Sequence, residues 1–217
     1  MHGNNISLEH KAIKDEIINY WKEIHKEIGT ILKDLSGTVL LTHSSLEFTN
    51  FVGILNMIKP ERFQNVLYIS LIRSYDFMRS ALNKIPLDNK RIFFIDCVSG
   101  FAFPEEENID DAHYHKPPSD LDQLKELIRF GIDKSGPDIV IIDSLSQFIN
   151  FSRPTESEIS DLYKFLHTIR SGSLNVIQGT FILLYDTKLG IMQNLPKSST
   201  DLILKIEIFK NEHRWRD

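Results

Sequence analysis

Pro137-Asp138-Ile139-Val140-Ile141-Ile142-Asp143-Ser144-Leu145-Ser146-Gln147-Phe148 is the stretch that decides the fold. Four apolar, mostly β-branched residues run without a break into a carboxylate, after a Gly136-Pro137 pair and before a small polar one. An uninterrupted apolar run of this length reads as a strand buried on both faces, the centre of a parallel sheet. Asp143 then stands at the C-terminal end of that strand, the side on which open α/β sheets bind ligands. A carboxylate is costly to bury, so Asp143 serves either as a cap for the following turn or as part of a site.

Outward from this strand the chain alternates strands and helices. Thr38–Leu41, Val66–Leu71, Arg91–Cys97, 138–143 and Gly179–Asp186 read as buried strands, and Asp201–Phe209 as an edge strand with one solvated side. Helices fit 46–58, Tyr75–Ile85 capped by Ser74, 120–134 capped by Ser119, and Glu156–Ile169. The β-α-β-α-β order with tight spacing implies a parallel sheet with crossover helices. Two segments break the rhythm. Residues 98–118 hold Gly100, three prolines, the run Glu105-Glu106-Glu107, Asp110-Asp111, and His113 and His115; they read as a solvated, mobile loop rather than a metal site. Residues 186–199 read as a second mobile loop.

Ahead of this core, Ser7 to Leu35 has a helical period. Ile17, Trp21, Ile24, Ile28 and Ile31 recur at alternating spacings of 4 and 3, a narrow seam suited either to packing across its own domain or to docking on a partner helix. Residues 1–35 are therefore read as an N-terminal helical extension and 36–217 as the α/β domain.

The chain has 217 residues, a net charge of -5 and a single cysteine, Cys97, which excludes an internal disulfide framework and a cysteine zinc cluster. No apolar run reaches the ~20 residues of a membrane span, so a cytoplasmic protein without membrane contact is expected. The mild acidity and the lack of a basic block argue against nucleic acid.

From Ser36 to Phe209 the order of segments resembles the KaiC/RecA-like P-loop ATPases, most closely the KaiC-like archaeal and bacterial branch. Ser36-Gly37-Thr38-Val39-Leu40-Leu41 matches the phosphate-loop strand, Val66–Leu71 the second strand, and Asp138–Leu145 the Walker B strand, with Asp143 as its metal-organising carboxylate. Phe181–Leu184 matches the strand before the sensor region, where Asp186 follows, and Ser199–Ile206 the terminal strand. The resemblance implies a mostly parallel sheet flanked by helices, with the Walker B strand neighbouring the phosphate-loop strand.

The departures from that pattern are larger than the matches. A phosphate loop needs G-x-x-x-x-G-K-[ST], whose glycines let backbone N–H groups wrap the phosphates and whose lysine pairs with the terminal oxygens. Here the segment reads Thr42, His43, Ser44, Ser45, Leu46, Glu47, Phe48, Thr49, and only Thr49 matches. Glu47 places the chain's own carboxylate where a helix N-terminus would attract an anion. The resemblance also implies catalytic glutamates after the second strand, where this chain has Leu71-Ile72-Arg73-Ser74. With cradle, lysine and base all absent, the expectation is a pseudo-ATPase. It has no catalytic residue, no metal and no cofactor, and acts as a regulatory or scaffolding subunit through a protein partner or self-association. Ile17, Trp21, Ile24, Ile28 and Ile31 are the candidate contact. Two alternatives remain: a divergent ATP- and Mg-binding protein built from Thr49, Asp143, Asp186 and Lys188, and a DNA-binding recombinase-like paralogue using 98–118 and 186–199. His43-Ser44-Ser45 lacks the glycines of a nucleophile elbow, and Cys97 has no adjacent histidine to activate it.

Overall fold

The computed structural model describes residues 37–44, 51, 64–82, 91–102, 111–170, 179–189 and 200–206. The expected helix over 7–35 with its seam, positions 45–49 of the phosphate-loop segment, and 190–199 lie outside the described residues. Seven strands form one sheet: β1 (Gly37–His43), β2 (Asn65–Ser70), β3 (Arg91–Asp96), β4 (Ala112–Tyr114), β5 (Ile139–Asp143), β6 (Thr180–Asp186) and β7 (Leu202–Ile206). Their spatial order is β4-β3-β2-β5-β6-β1-β7, and every pairing is parallel. The decisive stretch, β5, occupies the middle, with every residue buried, as a continuous apolar run requires. β7 ends one side, and alternate side chains along it are exposed, as its period-two pattern implied.

Alternating strand residues feed two cores. On one face Leu67, Ile95, Val140, Ile142, Phe181 and Leu183 pack under three helices, α3 (Leu121–Ser135), α4 (Leu145–Ser152) and α5 (Glu156–Arg170). Gly131 lets α3 settle onto the sheet: a Cβ there would lie 2.6 Å from a Leu67 methyl. On the other face Val66, Tyr68, Phe94, Ile141 and Ile182 pack with Phe51 and with Tyr75, Met78 and Ala81 of α1 (Tyr75–Leu82). Among the described residues no helix is long and apolar enough to cross a membrane.

Two local expectations need correction, and one helix was not expected. Residues 98–118 are not a loop throughout. They begin with a short helix, α2 (Ser99–Ala102), and Ala112–Tyr114 form β4 along the outer edge of β3, because Ala112 and Tyr114 can face the core while His113 faces the other way. The acidic run Glu105-Glu106-Glu107 and Asp110 lie outside the described residues, while the His113 ring lies against Phe130, centroids 4.5 Å apart. The N-cap of α3 is Asp120 rather than Ser119: Asp120 Oδ1 accepts the Gln123 N–H at 2.9 Å, and Gln123 Oε1 accepts the Ser119 N–H at 3.0 Å. Finally, α4 follows β5 after a single residue. Ser144 caps it by accepting from Gln147 N–H at 3.2 Å, and Arg153 closes it in a left-handed conformation. Ser144-x-x-Gln147 is the capping-box spacing that announces this helix in the sequence.

Candidate functional site

Parallel register aligns the C-terminal ends of four adjacent strands. Ser70 of β2 sits opposite Asp143 of β5, and Asp186 of β6 opposite His43 of β1. β6 separates β1 from β5, so the Asp143 strand is not the direct neighbour of the His43 strand, contrary to expectation. The rim thus runs Ser70, Asp143, Asp186, His43, with Arg73 arching over it from the β2–α1 turn.

That turn is fixed by Ser70, whose hydroxyl donates to the Arg73 carbonyl at 2.7 Å and accepts the Arg73 N–H at 3.0 Å. Leu71 N–H also donates to the Asp143 carbonyl at 2.6 Å, tying the end of β2 to the end of β5. The turn so held delivers the Arg73 guanidinium onto Oδ2 of Asp143. The Tyr68 hydroxyl donates to the same oxygen from the sheet side. Asp143 is fully buried, while 18% of the Arg73 side chain reaches solvent. Burial and the neighbouring carboxylate push the Tyr68 phenol well above its ordinary range, so it remains a donor. Asp143 Oδ1 has no hydrogen-bond partner among the described residues.

Burial lowers the His43 imidazole from its ordinary value, with Arg73 adding to the effect, against the opposing pull of Asp186 and Asp143. His43 is therefore neutral near pH 7. Its carbonyl accepts from Thr187, by N–H at 2.7 Å and by hydroxyl at 3.1 Å, which fixes the turn after β6. Asp186 is spent on the same turn: Oδ1 accepts the Lys188 N–H at 2.8 Å, and its own N–H donates to Ser146 Oγ at 3.1 Å. Ser146 is in turn 2.9 Å from Ser144, hydroxyl to hydroxyl.

The structure therefore brings together Thr42, His43 and Ser44 at the end of β1 with Asp186 and Asp143, all on one rim. It adds four side chains that sequence reasoning passed over: Arg73, Tyr68, Ser144 and Ser146. The signal for the first was present, since a carboxylate at the end of a buried strand needs a counter-charge and the nearest strand end is followed by an arginine. Cys97 is buried, and burial and Asp96 push its thiol up, away from thiolate chemistry. Among the described residues no group of three or more His, Cys, Asp or Glu side chains is gathered as a metal ion would need.

No family model and no curated protein sequence matches the chain. Solved structures do. The flagellar accessory protein FlaH from Methanocaldococcus jannaschii is similar at a TM-score of 0.53 and 16% identity, over 80% of this chain and 72% of that one. A KaiC-like protein from the hyperthermophilic archaeon Pyrococcus horikoshii is similar at 0.51 and 12%, over 82% and 74%. At these identities the likeness speaks for architecture. With seven parallel strands in the observed order and helices on both faces, the chain has the RecA/KaiC-like α/β fold.

Proposed function

We propose that this chain is a non-catalytic RecA/KaiC-like protein, a pseudo-ATPase that works in the cytoplasm as a regulatory or scaffolding subunit through assembly with a protein partner or a second copy of itself. The observation that carries the reading is the Arg73 guanidinium on the Asp143 carboxylate. In a nucleotide-hydrolysing site that carboxylate helps hold Mg²⁺ against phosphate. Here an internal cation takes the oxygen from one side and a phenol hydroxyl from the other. With Arg73 and Tyr68 both on Oδ2 of Asp143, this arrangement supports a site that does not take a Mg-nucleotide.

The composition of the phosphate-loop segment supports the same reading, with Glu47 and Phe48 in place of glycine and lysine. The divergent-ATPase alternative draws on Asp186 and Lys188, but Asp186 Oδ1 is engaged by the Lys188 backbone. An accessory role is also the one that FlaH carries in its name.

The seam Ile17, Trp21, Ile24, Ile28, Ile31 is the proposed assembly element. Each apolar side chain fully buried contributes roughly 1.5–3 kcal/mol, so losing two anchors reverses a micromolar association. Trp21→Glu combined with Ile28→Glu tests this by light scattering beside a thermal melt. The expected result is a wild-type mass above the monomer that falls to the monomer in the variant, with the melt unchanged. A monomer in both forms, with a large drop in melting temperature in the variant, assigns the helix to its own core and overturns the assembly reading.

A further inference from the structure

Beyond the C-terminal ends of the strands, two exposed apolar side chains lie on elements that one hydrogen bond ties together. Phe151, near the end of α4, is 67% exposed, and Leu189, in the turn after β6, is 51% exposed. Asn150 Nδ2 donates to the Leu189 carbonyl, which joins the end of α4 to that turn. The turn is held from its other side as well. Thr187 donates to the His43 carbonyl by N–H at 2.7 Å and by hydroxyl at 3.1 Å, and the Lys188 N–H reaches Asp186 Oδ1 at 2.8 Å. A lone exposed apolar side chain is ordinary, but two carried on a backbone so fixed make a preorganised contact point.

A cation stands beside each of them. Lys188 precedes Leu189, and Arg153 closes α4 two residues after Phe151. Both are exposed, and neither has an ion pair among the described residues. α4 carries no charged side chain. The carboxylates nearest along the chain are Asp186, which accepts the Lys188 N–H, and Glu156, which lies past Pro154 in the first turn of α5. The patch is therefore apolar with a basic border, in a chain whose net charge is -5.

The seam of the N-terminal extension holds the complement. Its Ile28 and Ile31 lie between Glu27 and Asp34, which are seven positions apart and so share one flank of the stripe. Within one copy that stretch stops short of the patch. In the helix that its period implies, Ile31 and Asp34 stand only about 9 Å and about 5 Å along the axis from Gly37. Gly37 opens β1 at the opposite end of the sheet, and β1 runs about 20 Å before His43 comes level with Asp186. A second copy is needed to bring the stretch to the patch. We propose that Ile28 and Ile31 of one copy dock on Phe151 and Leu189 of the next, with Glu27 and Asp34 facing Arg153 and Lys188. This docking rests on the reading of the seam as the assembly element and adds the surface that receives it. Seam and patch are different surfaces, so the contact is head-to-tail and repeats from copy to copy into a ring or an open chain.

Light scattering on the full chain tests this. Phe151→Ser with Leu189→Ser breaks the patch and leaves the seam, whereas Ile28→Glu with Ile31→Glu breaks the seam and leaves the patch. The wild type is expected above the monomer mass, and each variant at the monomer mass at the same concentration. Mixed in equal amounts, the two variants are expected to reach twice the monomer mass, because the intact seam of the first still fits the intact patch of the second. A patch variant that stays assembled overturns the docking and leaves the seam reading standing. Variants that remain monomeric when mixed overturn it, as does a seam variant that stays assembled. A wild type that is monomeric at every concentration overturns it too, and leaves the seam to a partner of another sequence. Should the seam variant not fold, charge reversal decides. Arg153→Glu with Lys188→Glu is expected to lower the assembled mass, and Glu27→Lys with Asp34→Lys added to the same chain to restore it. Reversal without effect, or without restoration, overturns the docking.

Discussion

Arg73, three residues past the end of β2, donates to the carboxylate of Asp143, the last residue of β5, across 70 positions of chain. The pair is asymmetric, because Asp143 is wholly buried while Arg73 touches solvent. Removing the guanidinium therefore leaves a buried charge with, among the described residues, only the Tyr68 hydroxyl donating to its side chain. Arg73→Ala is expected to lower stability by about 3–5 kcal/mol, read from urea denaturation near neutral pH. Asp143→Asn keeps an acceptor for Tyr68, and the freed arginine can turn to water. That variant is expected to lose less, about 1–3 kcal/mol. Equal losses would mean that the buried Asp143 charge does not depend on the Arg73 guanidinium.

Gly37 opens β1 at φ +116°, a conformation open to glycine and strained for other residues. Its missing side chain also makes room for a clasp, in which Asp201 accepts the Thr38 N–H at 2.7 Å and the Arg170 guanidinium at 2.6 Å. A Cβ on Gly37 would overlap both Arg170 and Asp201. Gly37→Ala is expected to cost about 1–3 kcal/mol and to loosen β7, which denaturation together with exchange at the Asp201 amide would show. A variant as stable as the wild type would mean that the clasp contributes nothing.

The same clasp sets a pH dependence. Burial works to raise the Asp201 carboxyl, but the Thr38 N–H and Arg170 outweigh it and hold it below its ordinary value of 3.8. The unfolded chain then takes up the proton first. The contribution of Asp201 is complete above its ordinary value and fades as the pH falls through the native one. Melting temperatures between about pH 6 and about pH 3 are expected to fall less steeply in Asp201→Asn than in the wild type, from a lower starting point. Parallel curves would contradict the assignment.

The parallel sheet was legible because Ile139–Ile142 and Phe181–Leu184 are unbroken apolar runs, and only strands buried on both faces tolerate that pattern. The edge position of β7 was legible for the opposite reason, since polar and apolar residues alternate along it. β4 was not, because three residues are too few to show a period and the acidic run before them dominates the composition. The rim was half legible. Asp143 and Asp186 announce themselves at strand ends, whereas the role of Arg73 depends on which strand lies beside β5, and strand order is a long-range property. α4 went unread although its capping spacing was in view, since Ser144 and Ser146 pass for a polar turn after the strand.

Calorimetry of the full chain with Mg-ATP tests most directly whether Arg73 and Tyr68, both held on Oδ2 of Asp143, keep that carboxylate from a Mg-nucleotide. No saturable heat is expected up to millimolar ligand, and no phosphate release on prolonged incubation. Saturable binding near one nucleotide per chain, abolished by Asp143→Asn, would contradict it.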